Sequence, residues 1–127
     1  MTSKKKILII DDEEAFGKMV KINLEMLGNY EVRVETMGGN GLQAAWEFGP
    51  DLILLDVIMR DMSGQDVVKW IRADNHLRRT PIIFLTAMSE GDIAPGKVGG
   101  EKFPMIQKPV SIENLTQSIE ASLGRAR

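Results

Sequence analysis

The feature that most constrains the fold is a regular alternation between two kinds of segment along the whole chain. Short runs of apolar residues bounded by breakers have the length of buried strands, and longer stretches with apolar residues three or four apart are typical of helices. The predicted strands are Ile7–Ile10, Tyr30–Glu35, Leu52–Leu55, Ile82–Leu85 and Phe103–Gln107. Strands with two apolar faces need helices on both sides of the sheet. The pattern therefore predicts a single α/β domain over residues 1–127, built as a three-layer sandwich around a parallel sheet.

The predicted helices alternate with these strands. The first carries Phe16, Val20 and Leu24 at helical spacing, and the last begins after Ser111, whose hydroxyl is a typical N-cap. The region expected to hold the fourth helix, residues 89–101, contains four glycines and one proline, which cost roughly 1 and 3 kcal/mol each inside a helix. We therefore expect a short or frayed helix there.

Five strands and five helices in alternation favour a flavodoxin-like sheet of order 2-1-3-4-5. That order opens a crevice between the first and third strands at their carboxyl ends, where ligands bind in open α/β sheets. We therefore expect the functional site at this edge.

Composition and charge exclude several classes of protein. A net charge of −2 does not provide the basic face that nucleic acid binding needs. The absence of cysteine excludes disulfides, thiolate zinc sites and thiol nucleophiles, and the one histidine, His76, lies in a polar stretch. The apolar run after Lys6 is four residues long, too short for a signal peptide or a membrane span, so a cytoplasmic protein is expected.

Polar side chains follow four of the five predicted strands and are expected to meet at one edge of the sheet. They are Asp11, Asp12, Asp56, Thr86 and Lys108. Each alone has an ordinary role as a cap or a turn residue. Three carboxylates in one partly buried place repel one another, however, so together they indicate a cation or a function.

Oxygen ligands without histidine or cysteine suit a hard cation, and Mg²⁺ typically binds one or two carboxylates together with a phosphate. A carboxylate can also attack phosphorus when a metal ion and a fixed ammonium neutralise the transferring group. Asp56, Asp12 and Lys108 fit the roles of nucleophile, metal ligand and ammonium.

Four segments carry a more specific pattern. They are Ile-Leu-Ile-Ile-Asp-Asp-Glu-Glu at 7–14, Leu-Ile-Leu-Leu-Asp-Val-Ile-Met at 52–59 with Met62 and Gly64, Thr86-Ala87, and Lys108-Pro109. In this order and spacing, the chain resembles the receiver domain of bacterial two-component response regulators along essentially its whole length.

The resemblance implies a role for each member of the cluster. Asp56 would be the phosphoacceptor, and Mg²⁺ would be bound by Asp12, Asp56 and the main-chain carbonyl of Ile58, with Asp11 acting through water. Thr86 would donate its hydroxyl to a phosphoryl oxygen, and Lys108 would pair with the phosphoryl group.

The resemblance also implies partners, and a conformational switch by which phosphorylation controls a partner or output domain. Pro109 would follow a cis peptide bond, and the phosphoryl donor would be a histidine of a sensor kinase or of a histidine phosphotransfer protein. Such a domain is not an enzyme with turnover, since it catalyses only its own phosphoryl transfer and a slow loss of phosphate. The output partner is not named by the sequence, and homodimerisation is left open.

Two residues depart from the family pattern. Arg60 replaces a frequent proline, and Met105 replaces an aromatic residue that changes rotamer in the usual switch. Ile58 and Met88 would border the phosphoryl group, and their apolar side chains would slow attacking water and prolong the phosphoryl state.

Other functions remain as alternatives. A receiver-like interaction module that does not depend on phosphorylation is compatible with Met105 and the weak fourth helix. A flavin binder would use the same crevice, but the loop after Ile10 lacks the glycine, serine and threonine that a flavin phosphate needs. A hydrolase acting through Asp56 would need a second aspartate two residues later, where the chain has Ile58.

Overall fold

The computed structural model describes residues 3–87 and 97–125. Its main feature is a sheet of five parallel strands in the order β2-β1-β3-β4-β7. The strands are β1 (Lys5–Ile10), β2 (Tyr30–Glu35), β3 (Leu52–Asp56), β4 (Ile82–Thr86), β5 (Lys97–Val98), β6 (Glu101–Lys102) and β7 (Met105–Gln107). The α-helices are α1 (Glu14–Met26), α2 (Gly41–Phe48), α3 (Gly64–Ala73) and α4 (Ile112–Arg125), and a short 3-10 helix spans Gly38–Asn40. The predicted flavodoxin-like sheet order is thus confirmed, with β7 as its fifth strand.

The two faces of the sheet bury alternate residues of each strand. Leu8 and Ile10 pack with residues of α2 and α3, whereas Ile7 and Ile9 pack with residues of α1 and α4. Side chains of a strand alternate between faces, so a strand buried on both faces must be apolar throughout. Burying one such side chain fully contributes roughly 1.5–3 kcal/mol. The apolar runs seen in the sequence are therefore the reason for three layers.

The described residues contain four α-helices, one fewer than the five that were predicted for the whole chain. The expected fourth helix covered residues 89–101, of which 89–96 lie outside the described residues. Residues 97–102 form an antiparallel hairpin of β5 and β6. Gly99 and Gly100 make its turn with φ angles of 58° and 86°, a conformation that glycine adopts without steric cost. Gly99 and Gly100, two of the four glycines that argued against a helix here, thus form a turn.

The hairpin is attached to the end of α3. Arg72 donates to both carboxylate oxygens of Glu101 at 2.8 and 3.1 Å and to the carbonyl of Thr80 at 2.8 Å. The Arg72 guanidinium also lies 5.2 Å from the ring centre of Phe103. These contacts join the hairpin to the amino-terminal edge of β4.

Among the four described helices, none has the length and apolar character needed to cross a membrane.

Candidate functional site

All five polar residues predicted from the sequence lie at the carboxyl edge of the sheet. Asp11 and Asp12 follow β1, Asp56 ends β3, Thr86 ends β4, and Lys108 follows β7. Parallel strands end at the same edge, so the topology brings together residues that lie almost a hundred positions apart. Carboxylate oxygens of Asp11, Asp12 and Asp56 all lie within 4.8 Å of one another.

Lys108 neutralises part of this negative charge. Its Nζ lies 2.7 Å from Asp11 Oδ2, 2.7 Å from Glu13 Oε1 and 3.6 Å from Asp56 Oδ2. Only 8% of the side chain is exposed, and the ammonium also lies 4.3 Å from the ring centre of Phe16. Attraction between a cation and an aromatic face adds to the ion pairs in such a desolvated place. The lysine is thereby held beside the carboxylate of Asp56.

The backbone around Lys108 aims its side chain at the site. The Lys108 N–H donates to the carbonyl of Thr86 at 2.7 Å, which continues the pairing of β4 with β7. The peptide bond between Lys108 and Pro109 is cis, as the family resemblance implied. Thr86 itself is buried, with 3% of its surface exposed.

The environment of Asp56 disfavours its charged form. Burial raises its pKa to about 6, with a further contribution from the negative charge of Asp11, and Lys108 only partly opposes the shift. Burial alone would lower the pKa of Lys108, but its close contacts with the carboxylates of Asp11 and Glu13 prevail, and its pKa is raised. The ammonium therefore stays charged, while Asp56 is a carboxylate that gains from any further cation placed beside it.

The loop after β3 brings a second cation to the site. The main-chain N–H of Arg60 donates to Asp12 Oδ2 at 2.8 Å, and Arg60 Nε lies 3.4 Å from the same oxygen. The Arg60 side chain is 88% exposed, whereas that of Asp12 is 17% exposed. The residue that replaces the frequent proline thus contacts a predicted metal ligand.

The same loop is fixed by hydrogen bonds that sequence reasoning missed. Asp61 accepts hydrogen bonds from the N–H groups of Gly38 and Gly39 at 3.1 and 2.8 Å. Gly64 N donates to the carbonyl of Val57 at 2.7 Å, and a side chain at Gly64 would collide with the carbonyl oxygen of Asp56. An aspartate preceding a Ser-Gly turn signals a loop, but only the fold shows which backbone groups it binds.

Phe16 is the other functional residue that the sequence did not reveal. Its helical spacing indicated a core position, and it does pack beside the α1 and α4 core. Its ring also contacts the Lys108 ammonium, ninety-two positions later. A helical stripe does not distinguish a core aromatic residue from one that supports a cation.

Ile58 lies beside Asp56 at the site. The contribution predicted for it, metal binding, would be made by its main-chain carbonyl. Its N–H donates to Asp56 Oδ1 at 3.3 Å, and its side chain is 56% exposed. Metal binding by the Ile58 carbonyl stays a prediction. Met88, expected to border the phosphoryl group as well, lies outside the described residues.

The carboxylate cluster fits a hard divalent cation. Asp11 Oδ2 is buried and, within the described residues, accepts no hydrogen bond of standard geometry, although the Lys108 ammonium lies 2.7 Å away. The possible metal ligands of this cluster are oxygen atoms alone, which is the ligand set that Mg²⁺ and Ca²⁺ prefer. The geometry therefore offers a site in which a cation would offset the repulsion among three carboxylates.

Comparison with known families gives one model that covers most of the chain. Residues 7–120 match the model described as the response regulator receiver domain. This range includes every predicted site residue, from Asp11 to Lys108.

Similar proteins of known sequence or structure agree with that match. The chain is 35% identical over 126 residues to the polar-differentiation response regulator DivK of Brucella anthropi, covering 96% of this chain and 98% of that protein. A CheY-like receiver domain from Methanospirillum hungatei has a TM-score of 0.85 at 27% identity, with 98% and 97% of the two chains covered. The Vibrio cholerae chemotaxis protein CheY4 has a TM-score of 0.83 at 29% identity, with 94% and 99% covered.

Proposed function

Because the chain belongs to the response regulator receiver domain family of two-component signalling, we propose that Asp56 accepts a phosphoryl group with the help of Mg²⁺. The observation that carries this proposal is the convergence of Asp56 with two further aspartates and one buried lysine at the carboxyl edge of the sheet. The phosphoryl donor is a phosphohistidine on a sensor kinase or on a histidine phosphotransfer protein.

Asp56 is the nucleophile in this proposal. One of its carboxylate oxygens attacks phosphorus, a P–O bond forms as the P–N bond to the donor histidine breaks, and the imidazole leaves with a proton. Its pKa of about 6 leaves the carboxylate largely ionised near neutral pH. Its Oδ1 is oriented by the N–H of Ile58 at 3.3 Å.

The metal ion supplies charge neutralisation when bound. Asp12 and Asp56 would bind it directly with the Ile58 carbonyl, and Asp11 would act through water. The three carboxylates already lie close enough together for a shared ligand. Their mutual repulsion provides the driving force for taking up a divalent cation.

Lys108 and Thr86 stabilise the transferred group. The Lys108 ammonium lies 3.6 Å from Asp56 Oδ2, so a small rotation brings it from Asp11 to an oxygen of the phosphoryl group. Thr86 donates its hydroxyl to another of those oxygens. A phosphoryl group adds a charge of about −1.5 to −2 and three acceptor oxygens, and drawing Thr86 and Lys108 toward it alters the surface presented to a partner or output domain.

The proposal is tested with a small phosphoryl donor or with beryllofluoride in the presence of Mg²⁺. The wild-type protein should gain the mass of one phosphoryl group, and amide resonances around Asp56, Thr86 and Lys108 should shift with beryllofluoride. Asp56→Asn removes the nucleophile and should abolish both changes, and a chelator should abolish both in the wild-type protein. Modification that persists in Asp56→Asn would disprove the assignment of Asp56, whereas a wild-type protein that takes up no phosphoryl group would favour an interaction module that works without phosphorylation.

A further inference from the structure

We propose that Arg60 competes with the divalent cation for Asp12 and thereby weakens Mg²⁺ binding by this domain. The inference rests on the proposed function, because it concerns the affinity of the same site. It gives a role to Arg60, which until now was only a departure from the family pattern.

The two cationic side chains of the site form ion pairs with different carboxylates. Lys108 pairs with Asp11, Glu13 and Asp56. Asp12 has its ion pair with Arg60, and among the described residues no second cation lies within pairing distance of it. Arg60 is therefore the internal counter-ion of one predicted metal ligand, as Lys108 is of the others.

The Arg60 contact occupies one of the two carboxylate oxygens that Asp12 could offer to a cation. Both the main-chain N–H and the guanidinium Nε of Arg60 point to the same atom, Asp12 Oδ2. A divalent ion that binds Asp12 through Oδ2 must share this oxygen with two donors or displace the charged one, and an ion bound through the other oxygen would still lie close to the guanidinium charge. Like charges also repel at such a distance, so a retained guanidinium would disfavour the ion as well.

The local backbone keeps Arg60 in place for this competition. Asp61, the next residue, is tied to the N–H groups of Gly38 and Gly39. On the other side, the Ile58 to Ser63 bridge closes the loop. The guanidinium is 88% exposed, so it can leave Asp12 for solvent without disturbing the loop. Exposed ion pairs are weak, which makes the expected effect a modest change of about two- to fivefold in affinity.

The test is a Mg²⁺ titration of the unphosphorylated protein, followed by calorimetry and by amide resonances near Asp12. Arg60→Gln keeps a long polar side chain but removes the charge, and it should bind Mg²⁺ about two- to fivefold more tightly than the wild type. Arg60→Lys keeps the charge and should stay near the wild-type affinity. The matched control is Arg78→Gln, which makes the same change at an exposed arginine before the opposite end of β4 and should leave the affinity unchanged.

Salt sharpens the test, because exposed charges are screened at high ionic strength. The difference between Arg60→Gln and the wild type should shrink in 0.5 M KCl, which screens beyond roughly 4–5 Å. Equal affinities of wild type and Arg60→Gln at low salt would overturn the inference while leaving the proposed function intact. If neither protein binds Mg²⁺, the proposed function fails, and this inference fails with it.

Discussion

The two ends of the sheet treat charged residues in opposite ways. At the carboxyl edge, three aspartates and one buried lysine leave an excess of negative charge in a desolvated place. At the amino-terminal edge, Arg72 and Glu101 form a matched pair with two hydrogen bonds between planar groups. The first arrangement costs stability that a bound cation would recover, whereas the second stabilises the fold as it stands. Unbalanced charge thus lies at the proposed site of chemistry, and balanced charge lies at an attachment point.

The largest expected effect comes from crowding the carboxyl edge at Gly64. A methyl group there would collide with the carbonyl oxygen of Asp56 and lie 3.1 Å from Val57 Cα, so the backbone that carries the proposed nucleophile must move. Gly64→Ala should lower the free energy of unfolding by about 3 kcal/mol and impair phosphoryl uptake together. Urea unfolding and a phosphorylation assay measure the two effects. Gly124→Ala is the control, since no atom lies within 4 Å of a Cβ there, and it should not destabilise the protein.

A smaller effect is expected from breaking the matched pair at the amino-terminal edge. Arg72→Ala removes the charge-assisted hydrogen bonds to Glu101 and Thr80 and the contact with Phe103, and should lower the free energy of unfolding by about 2 kcal/mol. Phosphorylation of Asp56 should continue at the wild-type rate, because these contacts lie at the opposite edge. A double-mutant cycle with Glu101→Ala should give a coupling of about 1 kcal/mol. Loss of phosphorylation in Arg72→Ala would show that the two ends are not independent.

The smallest effect concerns the pH dependence of stability in a chelating buffer. The pKa of Asp56 is about 6 in the folded protein against an ordinary value of 3.8. Between these values the folded state binds more protons than the unfolded state, so the Asp56 contribution to stability falls as pH rises from about 4 to 6 and then levels off. Asp56→Asn lacks this loss and should be more stable than wild type above pH 6 by about 1 kcal/mol after allowance for solvent screening. Thermal unfolding across this pH range would measure it, and parallel curves for the two proteins would contradict it.

Much of the fold followed from the sequence because its strands are apolar along their whole length. A strand such as Leu52–Asp56, buried on both faces, leaves few arrangements besides a covered parallel sheet. The fourth helix region escaped prediction in detail, because glycine permits both a helix break and a hairpin turn. Whether Gly99 and Gly100 form such a turn depends on the packing of the hairpin against α3, which a local pattern does not reveal.

The main members of the site were also predictable, since each follows a strand that ends at the same edge. The supporting contacts were not. Phe16 beneath Lys108 and Arg60 beside Asp12 lie far from their partners in sequence, and their residue types suit many roles. Pairings of this kind depend on how the loops cross the edge of the sheet.

The sequence by itself determined the layers, the sheet order and the identity of the charged residues at the carboxyl edge of the sheet. The hydrophobic pattern sets which segments form buried strands and covering helices, and the ends of parallel strands lie at one edge. Only the tertiary structure decided which cation pairs with which carboxylate. Lys108 pairs with Asp11, Glu13 and Asp56, and Arg60 pairs with Asp12. Electrostatic energy depends on distances of a few ångströms and on local desolvation, and neither quantity is encoded in the spacing of residues along the chain.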